Sequence, residues 1–117
     1  MSVEVDPAEV LGLLYDEYAR SILMRTSSKP MSADQLADAC DASISTVYRR
    51  VDELEELGLI HGEEQYDPNG DHYRTFEAVV DHVGIDIEDG DLSVTMSRSE
   101  NRADRFTRAW ENLREDE

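Results

Sequence analysis

Lysine is nearly absent from this chain. Ten of its 11 basic residues are arginine and Lys29 is the single lysine, set against 28 aspartates and glutamates for a formal net charge of −17. One cysteine, Cys40, excludes an internal disulfide and a cysteine-rich zinc site. No apolar run approaches the ~20 residues that span a bilayer, so no membrane partner is expected. The opening MSVEVDPAE has neither a basic n-region nor a long apolar segment. That is not the pattern of a signal peptide, and the expected location is the cytoplasm. No nucleophile–base pair, glycine-rich phosphate loop or metal-ligand cluster is visible, so no catalysis, cofactor or metal is expected.

The acids run through the whole sequence alongside an intact apolar pattern, which is not the signature of disorder. They fit a folded protein with an acidic surface. Such a surface repels itself in dilute buffer and is tolerated where salt shortens the Debye length, to roughly 3 Å at 1 M. The composition therefore points to a cytoplasm rich in potassium chloride.

At 117 residues the chain suits one domain with a modest core. Residues 1–9 read as a flexible N-terminal tail and helix start, in which Asp6-Pro7-Ala8-Glu9 supplies the capping box. A short apolar segment, Val10 to Tyr15, leads into a helix over Asp16 to Thr26, which Ser27 to Pro30 break. Ser32 and Gln35 form a second capping-box pattern and open a helix with Leu36, Ala39 and Cys40 on one face. Cys40, at the end of that face, reads as a core residue. Asp41-Ala42 make a turn and Ser43 caps the next helix. There Ile44, Val47, Val51, Leu54 and Leu57 recur at spacings of 3, 4, 3 and 3, one helical stripe ending at Gly58. Beyond Leu59-Ile60, the Asp67-Pro68-Asn69-Gly70 turn signal between two strand-like runs predicts a hairpin.

A second hairpin is specified more tightly. A type I′ turn on Asp89-Gly90 sets Ile87 against Leu92, Ile85 against Val94 and Val83 against Met96, all on one face. A lone hairpin is marginal in water, so that face needs a cover. Ser99 caps a predicted helix from Glu100 to about Arg114, whose stripe of Ala103, Phe106, Trp110 and Leu113 serves as core packing, dimer seam or both.

The face of the second paired helix opposite its stripe carries Ser45 and Arg49, flanked by Thr46 and Tyr48. Small hydroxyls, a phenol and an arginine are groups that contact base edges and phosphates. Recognition helices present their N-terminal residues to the major groove, and that end favours a phosphate. From Ala42 to Val51 there is no acid, and Arg49 and Arg50 contribute two positive charges, whereas four acids fall between Asp52 and Glu56. The candidate DNA contacts are therefore Ser43, Ser45, Thr46, Tyr48, Arg49 and Arg50, joined by His72 and Arg74 from the first hairpin. A turn centred on Pro68-Asn69 would instead set Glu63 opposite Arg74 as a salt-bridge partner.

QLADACDASISTVYRRVDELEELGLI resembles the helix-turn-helix of ArsR-type winged-helix regulators. More narrowly, DEYARSILMRTSSKPMSADQLADAC, TVYRRVDELEELGLI and ADRFTRAWENL resemble the small regulators of that type from halophilic archaea. The resemblance spans about residues 10 to 113. It implies a homodimeric transcriptional regulator that binds double-stranded DNA. Metal-sensing relatives carry paired cysteines or His/Asp clusters; this chain offers only Cys40 and the dispersed His61, His72 and His82, and its effector is not legible. The expected fold is α+β. It comprises a winged helix-turn-helix over residues 10–80, then an added C-terminal β-hairpin and C-terminal helix over residues 81–117 as a possible dimerisation element. The competing reading is a winged-helix protein–protein interaction module without DNA contact, which the net charge favours and the acid-free window opposes.

Overall fold

A computed structural model describes residues 2–98. The predicted helix from Glu100, with its Ala103, Phe106, Trp110 and Leu113 stripe, lies outside the described residues. The first element is a strand, β1 (Ser2–Val5), where a flexible tail was expected. Two valines are too short an alternation to announce a strand; β1 forms because a neighbouring strand is there to pair with it.

Helix α1 (Pro7–Tyr15) starts on the Asp6 carboxylate, which accepts from the Ala8 N–H at 3.1 Å, with Pro7 in the first turn. Helix α2 (Glu17–Ser28) follows after a single extended residue, Asp16. The Asp16 N–H closes α1 on Gly12, while its carboxylate caps α2 at the Ala19 N–H, 2.8 Å away. Arg20 reaches back to the Leu14 and Tyr15 carbonyls at 2.9 and 3.1 Å, satisfying acceptors at the C-terminus of α1.

The two-residue strand β2 (Met31–Ser32) runs into α3 (Ala33–Cys40) through a reciprocal capping box. Gln35 N–H donates to Ser32 Oγ at 3.2 Å, and Ser32 N–H donates to Gln35 Oε1 at 2.9 Å. Asp41, in the left-handed region at φ 52°, turns the chain into α4 (Ile44–Glu56). Helix α4 stops in a Schellman arrangement: Leu59 N–H bonds the Leu54 carbonyl, Gly58 N–H bonds the Glu55 carbonyl, and Gly58 sits at φ +77°. Val47, Val51 and Leu54 are fully buried, but Ile44, expected in the same stripe, is 41% exposed because it begins the helix beyond the edge of the core.

Strands β3 (Ile60–Tyr66) and β4 (His72–Ala78) form the wing, and β2 pairs with the other side of β4. The wing register differs from the expected one: Glu64, not Glu63, faces Arg74, and Glu63 faces Thr75. The Asp67 carboxylate gathers the Asn69 and Asp71 N–H groups, and Gly70 turns at φ +87°. The loop is thereby centred on Asn69, half a residue beyond the Pro68-Asn69 bond, and the pairing shifts by one residue.

The second sheet has the order β1-β6-β5, with β5 (Val80–Glu88) and β6 (Asp91–Arg98) joined by the Asp89-Gly90 turn. Both turn residues have positive φ, and Ile87↔Leu92, Ile85↔Val94 and Val83↔Met96 pair as the sequence predicts. Val94 and Met96 on the central strand are fully buried, whereas Ile85 on β5, an edge strand among the described residues, and Ile87 and Leu92 near the turn are 51%, 76% and 40% exposed. Arg98 ties this sheet to α4. Its guanidinium donates to the Leu57 carbonyl at 3.2 Å and passes through the space left by the missing Cβ of Gly58. Leu13, Ile22, Leu36, Val51, Leu54, Leu59 and Phe76 form the main core between the helices and the wing sheet.

Candidate nucleic-acid interface

The N-terminal half of α4 stands clear of the core on one side. Ser45, Tyr48 and Arg49 are exposed there, and Tyr48 keeps 48% of its surface. Among the described residues, Arg49 is the one arginine of α4 without a carboxylate partner. Ser43 caps the helix: its Oγ accepts from the Thr46 N–H at 3.2 Å, donates to Thr46 Oγ1 at 2.9 Å and lies 3.2 Å from Ser45 Oγ. Ser43 and Thr46 thus hold the first turn together, and Ser45 is exposed beside them.

Arg50 lies elsewhere. Its guanidinium grips both oxygens of Asp16 at 3.0 and 3.2 Å and donates to Glu53 Oε1 at 2.8 Å. Arg50, expected among the DNA contacts, fastens α4 to the α1–α2 junction in this fold. Helical periodicity explains it, since Arg50 follows Arg49 by 100° and so faces the neighbouring helices. Partial burial pushes the Asp16 carboxyl up, but the Ala19 N–H, the Arg50 guanidinium and the Tyr18 N–H more than offset it and hold it below the ordinary carboxylate range. The hydrogen bond to Glu53, working against burial and joined by Asp16, raises the pKa of Arg50.

On the wing, His72 is exposed and meets Tyr66 edge-on, with ring centroids 4.5 Å apart. Arg74 is paired, though not with the expected Glu63. Its Nη2 donates to both oxygens of Glu55 on α4, at 3.0 and 3.2 Å. A cleft of about 420 Å³ separates the start of α3 from the wing, with Tyr48 on one wall and His72, Tyr73 and Arg74 on the other. Sequence reasoning missed Tyr73 and Glu55. Tyr73 stood between two residues singled out by charge. The signal for Glu55 was Gly62, an isolated glycine inside a strand, which marks a close approach.

The structure therefore brings Ser45, Tyr48 and Arg49 to one surface, with His72 and Tyr73 across the cleft, and assigns Arg50 and Arg74 to ion pairs. His61, His72, His82 and Cys40 are not gathered together: no group of three or more potential metal ligands occurs among the described residues. Nor, among those residues, is any helix long and apolar enough to cross a membrane.

Residues 14–63, which run from the end of α1 through α2, α3 and α4 into the first strand of the wing, match the family model of a helix-turn-helix domain. No curated protein matches the chain. The family match covers less than half of the chain, supports a helix-turn-helix regulator family and suggests DNA binding; the mixed α+β arrangement around it fits a winged helix-turn-helix.

Proposed function

We propose that this chain is a sequence-specific, double-stranded-DNA-binding transcriptional regulator, homodimeric and cytoplasmic, of the ArsR-like type and adapted to high salt. The observation that carries the reading is the exposed face of α4, where Ser45, Tyr48 and Arg49 project from an acid-free stretch of a chain that is acidic nearly everywhere else. In this reading α4 enters the major groove by its N-terminal half, and His72 and the wing tip follow the adjoining backbone. No catalytic role is assigned. The homodimer is supported by the apolar side chains of Ile85, Ile87 and Leu92, which the second hairpin leaves exposed together.

That same apolar surface favours the second reading, an interaction module that keeps the fold without touching DNA. Fluorescence anisotropy in molar KCl, with duplex DNA from the region upstream of its own gene, separates the two. Specific binding that Arg49→Ala weakens by about 1–3 kcal/mol is expected for a base contact. No binding at any salt concentration would select the interaction module.

A further inference from the structure

The wing arginine has two possible uses: it can hold a DNA phosphate or hold the wing. Three features of the fold bear on the choice. Arg74 Nη2 engages both oxygens of Glu55, near the C-terminal end of α4. Its guanidinium carbon stands 5.0 Å from the centre of the fully buried Phe76 ring, a cation–π placement on a residue of the core. Gly62 on β3 supplies the room. A Cβ there would collide with the Arg74 guanidinium and come within 2.9 Å of Glu55 Oε2. Glu64 stands directly opposite Arg74 in the strand register, yet the guanidinium folds over Gly62 to reach the helix. Three elements are thus shaped around one side chain.

We propose that Glu55, Gly62 and Arg74 form a latch that sets the wing on α4, so that Arg74 is a positioning residue rather than a DNA contact. Nη2 alone meets both carboxylate oxygens, so what distinguishes arginine from lysine here is the planar guanidinium lying over the Phe76 ring while it does so, a stacking that a lysine ammonium does not reproduce. The latch places His72, two residues along the same strand, at a set position relative to Tyr48 and Arg49. This inference rests on the proposed DNA-binding function for its consequence, though not for its geometry.

Two measurements test it, on the full chain in molar KCl. The first is amide hydrogen exchange of β3 and β4 in the free protein, for wild type, Glu55→Ala, Arg74→Ala, Arg74→Lys and the Glu55→Ala/Arg74→Ala double variant. A latch predicts that each single variant lowers protection several-fold, Lys included, and that the double variant is no worse than the singles. Wild-type protection in either Glu55→Ala or Arg74→Ala would overturn it.

The second is anisotropy with a duplex selected by the wild-type protein from a random pool. Glu56→Ala, on the α1 side of the same helical turn, is the control for removing one acid. A latch predicts that Glu55→Ala, Arg74→Ala and Arg74→Lys all weaken binding without changing its dependence on KCl. Tighter binding by Glu55→Ala than by Glu56→Ala, with wild-type affinity in Arg74→Lys, would make Arg74 a phosphate contact and overturn the proposal. Should the wild-type protein select no duplex, the DNA-binding reading falls, and the exchange experiment still decides whether the latch exists.

Discussion

Raising the salt should cost this protein little of its affinity for DNA. Each phosphate neutralised by a protein cation releases counterions, and the logarithm of affinity falls with log salt at a slope of about −0.9 per contact. Arg50 and Arg74 are held by Asp16, Glu53 and Glu55, leaving Arg49 as the unpaired cation of the reading surface among the described residues. Two copies of Arg49 in a dimer give a slope of about −1.8, so a roughly fourfold rise in KCl lowers affinity about 12-fold. A protein making about eight such contacts would lose about 20,000-fold over the same range. Cations taken up between surface carboxylates and phosphates would flatten the slope further or invert it. The assay is anisotropy on one duplex across a KCl series, at a pH that keeps histidine neutral. A loss above about 1,000-fold would mean that many more cations reach the phosphates than this surface presents, and the reasoning would be refuted.

Asp16→Ala removes the cap of α2 and one of the two carboxylate partners of Arg50. At neutral pH the loss is about 3 kcal/mol, combining about 1 for the cap with about 2 for charge-assisted bonds to a half-buried guanidinium, read by urea unfolding. The folded Asp16 carboxyl titrates below its ordinary value of 3.8, so its contribution is present above that value and lost as pH falls through the lower folded one. Wild type and variant should converge in stability only in that acid range, and a gap that closes near neutrality would contradict the assignment. Gly58→Ala forces a side chain to φ +77° and drives Arg98 from the Leu57 carbonyl. It should lower unfolding free energy by about 2 kcal/mol, and an unchanged urea midpoint would show that Arg98 does not tie the second sheet to α4.

Local chemistry made much of this molecule legible without a structure. Ser32 with Gln35, Ser43 and Gly58 each satisfy helix-end groups within a few residues of themselves, so the helix pair could be outlined by reading along the chain. The Asp89-Gly90 turn did the same for the second hairpin, because a type I′ turn with an apolar face permits one register. The exposed trio of Ser45, Tyr48 and Arg49 followed from period alone.

What the sequence by itself determined was therefore where α3 and α4 begin and end, which of their faces are apolar, and where acid is absent, whereas α2 runs through Ser28, past its expected break at Ser27. Tertiary structure decided the partners. Arg49 and Arg50 are chemically identical neighbours whose faces the helical period separates, and the packing of α4 against the α1–α2 junction gives Arg50 its partner, Asp16. The wing register turned on how one aspartate gathers backbone donors in its loop. Arg74 met Glu55, nineteen positions earlier, because Gly62 leaves a passage between strand and helix. Strand β1 exists because β6 offers it an edge. Each of these depends on groups far apart in sequence meeting at a few ångströms, and no period or spacing along a single chain encodes that distance.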